Sequence, residues 1–184
     1  VASFSPSTAG MLVYQTGASA DAARVLSWTQ LASGGLQALG DPGQVFHPVI
    51  SPDGTRAVVE VRNASNEGTD LWLVELATGL RTRFTFAPGD EIRPCWSRSG
   101  EHVFYEWHEA GSYRIVQQPV EGQGGAAILM ESDREIAPSS AGPDDRDLLV
   151  DVEREDGHFE MHRLPLVGGD GEVIDYAVRM RQFR

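Results

Sequence analysis

Three stretches of this chain repeat one short text: Phe46-His47-Pro48-Val49-Ile50-Ser51-Pro52-Asp53-Gly54, Ile92-Arg93-Pro94-Cys95-Trp96-Ser97-Arg98-Ser99-Gly100, and Ile136-Ala137-Pro138-Ser139-Ser140 running on to Pro143-Asp144. Pro48 to Pro94 is 46 residues and Pro94 to Pro138 is 44. A recurrence of about 45 residues, each unit made of short β-like runs, restricts the chain to a repeat architecture in which one small sheet follows another. The repeat dictates a shape and leaves the function open.

The register extends to four units. Gly10, Gly54, Gly100 and Asp144 are assigned to one position, the end of the first hairpin turn, at spacings of 44, 46 and 44. An apolar run follows each: Leu12-Val13-Tyr14, Val58-Val59, Val103-Phe104-Tyr105 and Leu148-Leu149-Val150. A second run comes later, at Val25 to Trp28, Leu71 to Leu76, Tyr113 to Val116 and Phe159 to Leu164. Gly-rich turns and a last short run close each unit, at Leu36 to Leu39, Leu80 to Thr85, Ala126 to Met130 and Glu172 to Asp175. Four strands per unit with turn residues at regular offsets make a β-meander, and four such meanders predict an all-β β-propeller of four-stranded antiparallel blades. The predicted blades span approximately 3–40, 46–87, 92–130 and 136–175 within one region, 1–184, leaving 176–184 as a tail. No segment holds an apolar stripe of helical period over three turns; Val25 to Gln37 tolerates a helix by composition, but the register makes it strand.

The turn text has a physical reading. Pro52 presets φ, Asp53 bonds its own downstream backbone and Gly54 supplies positive φ. Pro48 and Pro94 lie on the innermost strand, where a missing donor is tolerated at the first residue or where the N–H faces the channel. Phe46, Ile92 and Ile136 share their parity and are expected to pack between blades, with Trp72 and Trp96.

Composition narrows the function by exclusion. A net charge of −12, from 27 acidic and 15 basic residues, repels a phosphate backbone, so nucleic-acid binding is not expected. All the basic residues are Arg. No apolar run approaches the length of a membrane span. No basic-then-apolar leader is visible, and an opening Val1 leads us to expect that upstream sequence has been removed. The one cysteine, Cys95, lies in strand text and reads as a buried, inert thiol that leaves the compartment open.

Candidate chemistry is sparse. His158, Glu160 and His162 share one face of a predicted strand, opposite Phe159 and Met161, and read as a solvated surface rather than metal ligands. His47 sits on an inner strand and is placed to line the channel. The carboxylate runs Asp90-Glu91, Asp144-Asp145, Asp147 and Asp151-Glu153-Glu155-Asp156 lack calcium-loop spacing and read as solvated loops and strand rims. Asn63-Ala64-Ser65 matches a glycosylation sequon, G-x-S-x-G does not occur, and Gly122-Gln123-Gly124-Gly125 joins strand to strand rather than strand to helix. No catalytic, cofactor-binding or metal residue is assigned.

Pro94-Cys95-Trp96-Ser97 and Ser51-Pro52-Asp53-Gly54 together resemble the P-x-W-S-P-D-G text of the TolB-type propeller repeat, a relative of the WD repeat, and Asp70 to Gly79 is similar to its third strand and turn. The resemblance covers nearly the whole chain and is strongest from Gln44 to Tyr105; the fourth repeat lacks the Trp. The wording is similar to propellers attached to bacterial serine/threonine kinases and winged-helix regulators. That resemblance implies a noncatalytic interaction or sensor module with a protein or peptide partner. Alternatives are the substrate-gating propeller of a prolyl-oligopeptidase-type hydrolase, or a metal-dependent propeller enzyme such as a lactonase or lyase. The family usually has six blades, so four repeats imply a part of a longer propeller, or self-association that covers an open face.

Overall fold

The computed structural model describes residues 4–6, 10–16, 24–30, 32, 34–39, 43–63, 68–121, 124–166 and 178–179. Among these, all regular structure is strand: β1 (Phe4–Pro6), β2 (Met11–Thr16), β3 (Val25–Gln30), β4 (Leu36–Ala38), β5 (Val45–Ile50), β6 (Arg56–Arg62), β7 (Gly68–Glu75), β8 (Arg81–Arg83), β9 (Gly89–Trp96), β10 (His102–Glu109), β11 (Ser112–Pro119), β12 (Ala127–Ser132), β13 (Ile136–Ala141), β14 (Asp147–Glu153), β15 (Phe159–Pro165) and β16 (Val178–Arg179). They form four meanders in chain order, β1 to β4, β5 to β8, β9 to β12 and β13 to β16. The stretch that composition left ambiguous is strand, as β3 and β4. The predicted closing run Glu172 to Asp175 lies outside the described residues; β16 pairs with β15 through Arg179 and Val178.

The second, third and fourth meanders open on the same turn. Ser51 N–H donates to Arg56 O at 2.8 Å and Gly54 N–H to Ser51 O at 2.9 Å; Ser97 and Gly100 repeat this at 2.9 and 3.1 Å, and Gly142 and Asp145 at 2.7 and 3.2 Å. Gly54, Gly100 and Asp145 all take positive φ, at 74°, 75° and 55°. The fourth equivalent of the turn glycine is therefore Asp145, not Asp144 as the spacing suggested. Asp is among the few side chains that tolerate this backbone region. Its carboxylate also accepts Arg98 N–H at 2.5 Å and Ser99 N–H at 2.7 Å, an additional function that glycine lacks.

None of the inner-strand prolines is the first residue of its strand. The β5–β6 ladder shifts register between Phe46 and Val49, and β13–β14 between Pro138 and Ser140. On β5 the shift spans His47 and Pro48, so the N–H that Pro48 lacks costs no ladder bond; on β13 the residue left out is Ser139, beside Pro138, which pairs with Val150. Pro48, Pro94 and Pro138 are all buried.

The chain forms two compact units, Val1–Pro94 and Cys95–Arg184. In the first, Val13, Leu26 and Leu39 pack on Val45, Ile50, Ala57, Val59 and Val74, with Trp28 and Trp72 at the edge. In the second, Phe104 and Ile115 pack on Ile136, Ala141, Leu148 and Val150. The same geometry appears twice: the rear face of one meander lies on the front face of the next. In β6 and β7 the front face is Ala57, Val59 and Val61 with Trp72 and Val74, and the rear face is Val58 and Glu60 with Leu71 and Leu73. Strands buried on both faces need apolar residues at both parities, which is why the runs are continuous rather than alternating.

Candidate functional site

One end of β5 and β9 in the first unit gathers charged residues. His47 on β5 and Arg93 on β9 occupy the same repeat position, before Pro48 and Pro94, and both have a left-handed backbone, at φ 41° and 54°. Both residues are exposed while the flanking prolines are buried, so the kink turns their side chains away from the sheet. Behind them lies Glu60 of β6, almost wholly buried. Its carboxylate takes the His47 Nδ1 at 2.8 Å on one oxygen and the Arg93 N–H at 2.8 Å on the other. The Glu60 hydrogen bond is the largest influence on His47 and holds the ring above its ordinary pKa of 6.5, against the opposing effects of desolvation and of Arg93 and Arg24.

Beside this pair, Phe46 is flanked by two guanidinium groups, Arg24 at 4.3 Å and Arg62 at 5.7 Å from the ring centroid. Stacking on an aromatic face restricts a guanidinium to a plane and leaves its N–H edge for other partners. His47 lies on β5 and is exposed, and the sequence reading that placed it on an inner strand missed its acid. A signal for the acid exists: Glu60, Glu106 and Asp151 each stand six residues beyond Gly54, Gly100 and Asp145.

A second group is buried. Glu91, expected on a solvated rim, is only 1% exposed, as is Asp70. The reason is local. Ala87 N–H donates to Glu91 Oε1 at 3.3 Å, and the Thr85 hydroxyl, which accepts Leu71 N–H at 2.9 Å, is also bonded to this carboxyl. Arg83 lies 2.9 Å from Asp70, and Glu91 Oε2 has no hydrogen-bond partner among the described residues. Burial pushes the Glu91 carboxyl up to about 7, with the Asp70 charge adding to it and the hydrogen bonds and Arg83 opposing.

The other expectations fall out as follows. Cys95 is half-buried and packs on the second core, and burial pushes its thiol up. Of the polar trio, His158 and Glu160 are solvated at 82% and 41% side-chain exposure, but the His162 side chain is covered to 18%, and Phe159 and Met161 are exposed at 50% and 44%. His162 pairs with Val150 on the front face, equivalent to Trp72, and is turned inward for that reason. His158 precedes β15 and lies exposed beside Asp156 at 3.4 Å. Of the acidic run, Asp147 pairs with Arg163 at 2.7 Å and Glu155 with Arg134 at 2.9 Å. Among the described residues, no three His, Cys, Asp or Glu side chains stand together as a metal set. Ala64-Ser65 of the sequon and Gly122-Gln123 of the Gly-rich turn lie outside the described residues.

Neither a protein-family model nor a curated protein matches the sequence. Solved structures do. TolB from Acinetobacter baumannii is similar over 89% of this chain and 43% of its own, at 17% identity and a TM-score of 0.60. A putative TolB from Agrobacterium tumefaciens is similar over 90% and 58%, at 16% identity and 0.72. A prolyl endopeptidase is similar over 90% and 27%, at 16% identity and 0.69. The chain thus spans between 27% and 58% of these proteins. The four meanders are blades, and the fold is that of a β-propeller like those of TolB and the peptidases.

Proposed function

We propose that this chain is a noncatalytic β-propeller module whose role is association with a protein, and that its fourth blade takes the front face of a blade from a second copy. One observation carries the reading. On the rear face, Leu71 and Ile115 are fully buried, as are Val58 and Phe104. Their equivalent in the fourth blade, by its pairing with Asp151, is Met161, and it stands 44% exposed beside Phe159 at 50%. Rear-to-front packing is the way this repeat buries such residues in both units, so a blade of the same kind is the partner that fits. A partly apolar sheet face of this sort favours association.

Light scattering across a concentration series tests it. The expected result is a mass above 20.0 kDa that rises with concentration. A monodisperse monomer throughout overturns the self-association reading.

The wording shared with kinase- and regulator-linked propellers supports placing the module in a larger signalling protein. The prolyl endopeptidase likeness favours a second reading, a propeller that gates substrate for a hydrolase. The complete reading frame separates them: a kinase or DNA-binding domain supports the first, a G-x-S-x-G domain the second.

A further inference from the structure

We infer that copies of this chain join head to tail: the rear face of the fourth blade, with Asp151 beside Met161, takes the front face of the first blade of a second copy. The inference rests on the self-association proposed above and assigns its two surfaces. The front face of the first blade follows from parity. Val13 packs on the second blade, so Leu12 and Tyr14 at the opposite parity, with their β1 partners Pro6 and Phe4, form the other face. In the second blade the residues of that face, Ile50, Ala57 and Val59, are packed against the first blade and at most 6% exposed. In the first blade Phe4 is 66% exposed, Pro6 is exposed, and Leu12 and Tyr14 are half-buried. An apolar front and an apolar rear, of the two kinds that this repeat packs together, are complementary.

Asp151 selects front over rear. Glu60, Glu106 and Asp151 hold one register position, opposite Leu71, Ile115 and Met161. Glu60 is 5% exposed, and its Oε1 accepts the N–H of Arg93 on β9, the inner strand of the next meander, at 2.8 Å. Glu106 is 2% exposed, on the face whose Phe104 and Ile115 pack on the fourth blade. Asp151 is half-buried, and its carboxylate makes no hydrogen bond or ion pair with another described residue. By the Glu60 pattern, an incoming inner strand supplies the N–H that Asp151 lacks. Two rear faces pressed together would instead bury two uncompensated carboxylates, which is costly. A front-to-rear contact is heterologous, so its products are rings or open chains of copies.

Analytical ultracentrifugation of two variants of the full chain, alone and mixed, tests the inference. Phe4→Glu disables the front, and Phe159→Glu with Met161→Glu disables the rear. All three side chains are exposed, and circular dichroism with thermal melting establishes that the variants fold. At concentrations where wild type assembles, each variant alone is expected to be a 20.0 kDa monomer. Their equimolar mixture is expected to form a pair of twice that mass and nothing larger, since one intact front and one intact rear remain. Asp151→Ala, added to the variant with the intact rear, is expected to raise the Kd of that pair about tenfold, equivalent to one hydrogen bond to a charged group. Assembly of either variant alone at the wild-type level means that a face pairs with itself and overturns the inference, as does a mixture that stays monomeric. An unchanged Kd with Asp151→Ala overturns the part given to that residue. Each of these outcomes leaves the self-association reading standing, whereas a monomeric wild type overturns both.

Discussion

Glu91 shows how a single residue departs from its sequence context. Preceded by Asp90 in a charged connection, it is drawn under the chain by Ala87 N–H and Thr85, and its carboxyl rises to about 7 from an ordinary 4.5. The sign of the linkage follows: the folded state holds a proton that the unfolded state releases, so this group's stabilisation is present below about 4.5 and is lost as pH rises to about 7. Glu91→Gln, uncharged at every pH, is expected to lack that loss and to gain on wild type by about 1–3 kcal/mol at pH 8 relative to pH 5 in urea unfolding. An equal pH dependence in both proteins counts against it. Asp145 is the opposite case, a half-buried turn residue with a structural duty to Arg98 and Ser99. Asp145→Ala removes both acceptors and keeps the unfavourable φ, with an expected loss of about 1–3 kcal/mol, whereas Asp145→Asn keeps an acceptor and the backbone tolerance and loses less. Equal unfolding midpoints for the two variants contradict this.

At the scale of elements, the sheet is tied together by small residues as much as by apolar ones. β7 and β9 run parallel where Gly68 meets Gly89, and Gly68 has φ 131°. A Cβ on Gly68 falls 1.9 Å from the Gly89 carbonyl oxygen, which is backbone and cannot swing aside. Gly68→Ala is therefore expected to destabilise by about 3 kcal/mol or more, through strain and overpacking together; a shift below about 1 kcal/mol in urea unfolding contradicts it. The strands themselves were legible in the sequence, because turn chemistry at Ser51 to Gly54 and Ser97 to Gly100 sets where each hairpin begins. The fourth turn was read one residue early, since Asp144 and Asp145 are chemically alike and only the backbone separates them. The register shifts at His47-Pro48 on β5 and at Ser139 on β13 were also missed, because a ladder shift leaves no mark of its own in the sequence.

For the whole molecule, the consequential feature is the face that ends the repeat. Glu substitution at both Phe159 and Met161 is expected to return any concentration-dependent assembly to a 20.0 kDa monomer without lowering the melting temperature, since both side chains are already exposed. Assembly that survives the double substitution rules out this face. The recurrence of Phe46 to Gly54 already implied four β-meanders, because turn residues and apolar runs act over a few neighbouring positions and are written contiguously. It did not reveal that Glu60 joins His47 to Arg93, that Glu91 is buried, or that Met161 faces outward while His162 is covered. Those depend on which strand lies against which face, and on the bulges that turn a side chain from one face to the other. Such contacts join residues as far apart as Glu60 and Arg93, and only packing of one blade on the next brings them together.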